Sequence, residues 1–184
     1  MNIGISGQND FPVSNGFPLI SIRLAPSVDN GRQGLLGARE IINRMQLTLD
    51  SVGILTTHDV EIRLLLNAFP ANKNWQQMTV PSLGQLIYHV KGDNVSGGTQ
   101  IFSFRCQGGS IIDSTTKRRA SNVNTVSLAD LATLGNSIIG GDGIFPNGPD
   151  VLTVLAVFME NQNDISIDGN FQLTGRVTWT ESQA

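Results

Sequence analysis

With 184 residues, 40% hydrophobic and 15% charged, the chain is long enough for one domain with a sizeable core, at a charge density well below the ~25% of an average soluble domain. Twelve Lys and Arg against 15 Asp and Glu leave a net charge of −3, so no positive field exists to gather phosphate backbones or anionic lipid; nucleic acid and membrane are not expected partners. Cys106 is the single cysteine, which excludes an internal disulfide and a cysteine-based zinc cage and reads as a small buried hydrophobe.

The opening MNIGISGQNDFPVSNG lacks the basic and apolar regions of a signal peptide, and no apolar run approaches the ~20 residues needed to span a bilayer, so synthesis in the cytoplasm is expected. Residues 1–38 are rich in Gly, Asn, Pro and Ser and read as an extended N-terminal arm. Within the arm, Leu19 to Leu24 alternates at period two like a strand. Phe11, Phe17 and Leu19 must dock on the domain or on a neighbouring subunit, because an arm has too few local partners to bury them.

Residues 39–184 read as a single domain. Met45, Leu47 and Leu49 alternate with Gln46, Thr48 and Asp50, which specifies a strand with one buried face; Val60, Ile62, Leu64 and Leu66 repeat the pattern opposite Glu61 and Arg63. The two read as strands of one sheet joined through a polar Thr56–Asp59 turn, with Gly53 a candidate bulge. Leu86 to Val90 and Gln100 to Cys106 follow, the latter bracketed by expected turns at Gly97-Gly98 and Gly108-Gly109. Ser127 to Gly135 carries helix signals: a capping Ser127 with Asp130 three residues on, an apolar stripe of Leu128, Leu131 and Leu134, and a terminal Gly135. Val151 to Met159 is almost continuously apolar, the mark of a strand covered on both faces. Phe171–Thr174 and Arg176–Thr180 complete the strand set. The expected fold is a mainly β, antiparallel, jelly-roll-like β-sandwich with one short inserted helix near 127–135.

His58, Asp59 and Glu61 form the densest chemical cluster. On a strand, Asp59 and Glu61 share a face with carboxylates ~7 Å apart, within range of a glycosidase pair. No oxyanion, phosphate or substrate motif accompanies them, and Thr56-Thr57-His58-Asp59 is ordinary turn chemistry, so a hairpin's polar rim is the expected reading. Residues 140–150, with Asp142, Asn147 and Asp150, lack EF-hand spacing and precede no helix that could hold phosphate; a tight loop is expected, with neither metal nor cofactor. Lys117-Arg118-Arg119 reads as a solvated or intersubunit loop. His89 has no second histidine at metal-ligand spacing and reads as a satisfied strand histidine. Ser110 and Ser114 lack the G-x-S-x-G context of a hydrolase nucleophile. No catalytic residue is assigned. Trp75, Trp179, Tyr88 and eight phenylalanines could line a sugar platform, but core and interface packing account for aromatics equally well, and 6% aromatics is low for a lectin-like surface.

Five strings, Gly16–Ile20, Arg23–Gly31, Gly37–Leu47, Gly140–Asp150 and Trp179–Ala184, together resemble a virion structural protein of tailed phages, marine cyanophage-like and of the C-terminal module type. The resemblance covers most of the chain and transfers no active-site residue. It implies a non-enzymatic component of the virion, a capsid decoration or a tail or baseplate part. Such a component acts by self-assembly, here as a homotrimer, and by packing on other virion proteins. The alternative it leaves open is a carbohydrate-binding module that attaches the particle to a host glycan.

Overall fold

Alternating apolar and polar residues in strands bury one face when the strands pair edge to edge, and every described strand of this chain is paired. The computed structural model describes residues 2–6, 16–25, 27–28, 35–36, 39–42, 45–77, 84–90, 93–116, 118–128, 133–134, 150–159 and 171–183. In chain order the strands among them are β1 Asn2–Ser6, β2 Phe17–Leu24, β3 Ser27–Val28, β4 Leu35–Leu36, β5 Arg39–Ile42, β6 Met45–Thr56, β7 Val60–Pro70 and β8 Gln76–Gln77. They continue as β9 Gly84–Tyr88, β10 Val95–Cys106, β11 Ile111–Asp113, β12 Arg118–Arg119, β13 Asn122–Ser127, β14 Thr133–Leu134, β15 Val151–Phe158 and β16 Gln172–Gln183.

The strands form two main antiparallel sheets. One has the order β1-β16-β6-β13, with β14 continuing the β13 side of β6; the other has the order β10-β7-β15-β2-β9-β8. A single buried cluster draws Leu47, Leu49, Val52 and Ile54 of β6 and Leu173 and Val177 of β16 together with Ile62 and Leu64 of β7, Ile22 and Leu24 of β2 and Leu152 and Val154 of β15. The sheets therefore share one core, as in a β-sandwich.

The parity of β6 shows how sequence sets geometry. Leu47 and Leu49 are buried, and beyond them so are Val52 and Ile54, so the inward set moves from odd to even positions. The pairing with β16 absorbs the change: Leu49 faces Trp179 and Ser51 faces Thr178, leaving Asp50 as the extra residue of a bulge. Its carbonyl accepts the Leu128 N–H at 2.8 Å. Gly53, the expected bulge, instead pairs in register with Arg176 and Thr125.

The described residues revise three further expectations. β6 and β7 lie in different sheets, so Thr57–Asp59 joins the layers and is not a hairpin tip. Ser127 ends β13, and Thr133 and Leu134 pair with Thr48 and Leu47, so the expected helix is not seen among the described residues of 127–135; residues 129–132 and 135 lie outside them. Two helical turns are marginal on their own, whereas an open strand edge supplies long-range backbone partners for Ser127, Thr133 and Leu134. Gly97 and Gly98 lie inside β10, not in a turn before it. Gly98 has φ +91°, and a Cβ there would stand 2.7 Å from the Ala68 Cβ, so glycine permits both the backbone kink and the close approach to β7.

Of the expected arm, β1 pairs with β16, and β2 lies between β15 and β9 with Phe17 and Leu19 buried. These residues dock on the chain's own domain. Phe11 lies outside the described residues. β15 is buried along its whole length, as its apolar run predicts.

Candidate functional site

The turn after β6 holds Thr57, His58 and Asp59, and the structure places it where both sheets meet. The Thr57 N–H donates to the Gln172 carbonyl at 3.1 Å, the Gln172 N–H returns to Thr57 Oγ1 at 3.0 Å, and the Met159 N–H donates to the Asp59 carbonyl at 3.2 Å. His58 is fully buried, with Nδ1 2.8 Å from Thr57 Oγ1 and its ring 5.6 Å from that of Phe171. The expected polar rim is thus a buried joint. Asp59 Oδ1 accepts the Gly108 N–H at 2.6 Å, and a Cβ on Gly108 would come within 2.6 Å of the His58 backbone, so only glycine lets β10 leave its sheet this closely. Glu61 bonds Arg63 Nη2 at 2.7 Å on the opposite face from the core, and this partner holds its carboxyl below the usual range. The two carboxylates thus bond to different partners, Asp59 to the Gly108 N–H and Glu61 to Arg63.

A second polar cluster was not legible in the sequence. Ser21 on β2, Thr153 on β15 and His89 just past β9 are all buried. Ser21 Oγ lies 2.8 Å from His89 Nε2 and 2.6 Å from Thr153 Oγ1, Thr153 Oγ1 donates to the Ala68 carbonyl at 2.9 Å, and Asp93 Oδ2 stands 3.3 Å from His89 Nδ1. The residues are 68 and 132 positions apart along the chain, so pairing of β2 with β9 and β15 is what gathers them. The serine–histidine–aspartate order matches a nucleophile, its base and an orienting carboxylate. Ser21, however, has 0% exposure and both bonds of its hydroxyl are internal, so no substrate carbonyl can reach Oγ in this conformation. Burial lowers the His89 pKa, with Asp93 opposing that effect, which keeps the ring neutral at neutral pH.

The remaining sequence candidates fall apart from both clusters. Trp75 stacks under the Arg23 guanidinium at 4.2 Å, while Arg23 Nε donates to Gln85 Oε1 at 2.9 Å; burial pulls the Arg23 pKa down to about 10. Trp179 packs partly buried against the core with Nε1 donating to Glu181 at 3.3 Å, so the two tryptophans do not form one platform. Asp150 accepts from Asn67 Nδ2 at 3.4 Å, while residues 140–149 lie outside the described set, as does Lys117. Arg118 and Arg119 form β12, which pairs with β11. Among the described residues, no group of three or more His, Cys, Asp or Glu side chains could hold a metal ion. No helix of the described residues is long and apolar enough to cross a membrane.

Among the described residues several large apolar side chains are exposed, Tyr88, Val90 and Met159 on their own elements and three more near one another in the fold. Ile111 is 50% exposed, Ile112 63% and Val123 69%. Ile111 and Ile112 lie on β11, whose hairpin with β12 connects β10 to β13, and these last two are the outer strands of the two sheets on this side. Gln107 links the outer strands: its N–H donates to Asn124 Oδ1 at 3.2 Å, and its carbonyl accepts from Asn122 and Asn124.

Compared with protein-family models, curated proteins and solved structures, the chain matches none.

Proposed function

We propose that this protein is a non-enzymatic packing module, a structural component of a tailed-phage virion that assembles with itself and with other particle proteins. The observation that carries the reading is the apolar rim of Ile111, Ile112 and Val123 where the edges of both sheets come together. Large apolar side chains exposed beside open strand edges favour association, because pairing satisfies backbone groups while burial removes hydrocarbon from water. Weak surface charge lowers the desolvation cost of such contacts. The sequence resemblance supplies the setting, a capsid decoration or tail component, and a closed homotrimer is the assembly proposed.

Light scattering across a concentration series tests the assembly. The wild-type chain is expected to reach the mass of a trimer, and Ile112→Asp with Val123→Asp to lower that mass while the circular dichroism spectrum stays that of a β protein. A wild-type chain that stays monomeric at every concentration, or a double variant of unchanged mass, would contradict the proposal.

A further inference from the structure

Arg23 lies near the end of β2, and two neighbouring elements fix its half-buried guanidinium in place. Across the β2–β9 ladder Arg23 pairs with Gln85, and its Nε–H donates to Gln85 Oε1 at 2.9 Å. From the segment before β8, the Trp75 ring lies 4.2 Å from the guanidinium carbon. With Nε committed, the end of the planar group that carries Nη1 and Nη2 is the one left to donate. Among the described residues neither Nη has an acceptor, and both stay within reach of solvent.

Nearby acids are absent or engaged. β2, β8, β9 and β15 carry no Asp or Glu. Asp150, just before β15, accepts from Asn67, and Glu181, which reaches β9, takes the Gly84 N–H and the Trp179 Nε1–H. Burial draws the Arg23 pKa down to about 10 with no carboxylate to counter it. The fold thus keeps a partly desolvated cation, oriented by an amide and an indole, in neutral company. Taking a charge out of water is costly unless an opposite charge replaces the water.

We propose that the Nη end of Arg23 is a receptor for a carboxylate, filled in an assembly by an aspartate or glutamate side chain of a different protein. Two parallel N–H groups match the two oxygens of a carboxylate, and a guanidinium already held by Gln85 and Trp75 loses little further freedom on binding. A protein side chain fits better than an acidic sugar, because Trp75 is half-buried and Arg23 covers an indole face on which a sugar ring would stack. A different protein fits better than a second copy: self-association is assigned to the rim beside β10, and β2, β9 and β8 stand at the opposite end of that sheet. Only this identity of the partner rests on the packing role proposed above; the carboxylate site stands on the geometry of Arg23.

Nitrogen-15 NMR of the full-length chain, titrated at constant ionic strength with the α-amide of N-acetylglutamate, tests the site. The Arg23 Nε–H and Trp75 indole N–H signals are expected to shift and saturate. N-acetylglutamine amide should leave them in place, and the exposed Arg105 and Arg176 should show no saturation. Arg23→Lys keeps the charge without the fork, so saturation read at Trp75 should vanish. Trp75→Leu removes the stack, and affinity read at the Arg23 Nε–H should fall roughly threefold. The Ile112→Asp, Val123→Asp double variant should bind the probe as the wild type does, which separates this site from the assembly rim. No saturable shift, an equal response of all three arginines, saturation that persists in Arg23→Lys, or unchanged affinity in Trp75→Leu would overturn the proposal. Glucuronate or inorganic phosphate binding more tightly than the glutamate probe would overturn the assignment to a protein carboxylate.

Discussion

At the scale of single residues, His89 predicts how stability depends on acidity. Its folded-state pKa lies below the ordinary value of 6.5, because burial disfavours the charged ring more than Asp93 restores it. The unfolded chain therefore binds the proton more readily, and this residue's contribution to stability is full above about 6.5 and is lost as pH falls below it. Chemical denaturation at stepped pH should show that decline in the wild type and a shallower one in His89→Gln. Cys106 behaves in the same physical terms: burial pushes its thiol up to about 12, so the folded protein should resist alkylation at neutral pH and react only after denaturation. Asp59→Ala removes the acceptor of the Gly108 N–H, and a half-buried donor left unpaired costs about 1–3 kcal/mol, measurable as a lowered denaturation midpoint.

At the scale of elements, the strands were legible where alternation is regular. Leu19–Leu24, Val60–Leu66 and the apolar run from Val151 all form strands, because period-two burial leaves a local trace. What local signals could not give is which sheet each strand joins. β6 and β7 look like a hairpin because a three-residue polar turn separates them, yet that turn crosses between layers, and layer choice is decided by non-local pairing of β6 with β16 and β7 with β15. The cap expected at Ser127 lost for a related reason: that residue ends β13 opposite Ser51, and capping contributes only about 1 kcal/mol, while Asp130 and Gly135 lie outside the described residues. The Ser21–His89–Thr153 cluster was invisible because nothing local distinguishes a strand serine that meets a histidine from one that meets water. Conversely, the switch of the inward set between Leu49 and Val52 was written in the sequence and marks the Asp50 bulge. Deleting Asp50 would remove the extra residue and leave Leu47, Leu49, Val52 and Ile54 in plain alternation on one face, while the Leu128 N–H loses its acceptor. A cooperative unfolding transition with a lowered midpoint is expected, since the apolar set keeps its face and one backbone donor loses its partner.

For the whole molecule, two antiparallel sheets close over one core, and their junction at Thr57–Asp59 is sealed by backbone bonds to the Gln172 carbonyl and from the Met159 and Gly109 N–H groups. Polar side chains at the sequence's most chemical positions are thereby committed to holding the fold: His58 to the joint, Asp59 to Gly108, Glu61 to Arg63 and His89 to Ser21. Outward, Ile111, Ile112 and Val123 place exposed hydrocarbon beside the strand edges of β10 and β13. Such a surface suits the packing role proposed above.

Residue-resolved hydrogen exchange, comparing concentrated with highly dilute protein, tests assembly through that rim most directly. Protection that grows with concentration along β10, β11 and β13, and stays unchanged at Trp75 and β9, is the expected result. Exchange that does not depend on concentration, or protection that appears away from this rim, would contradict it.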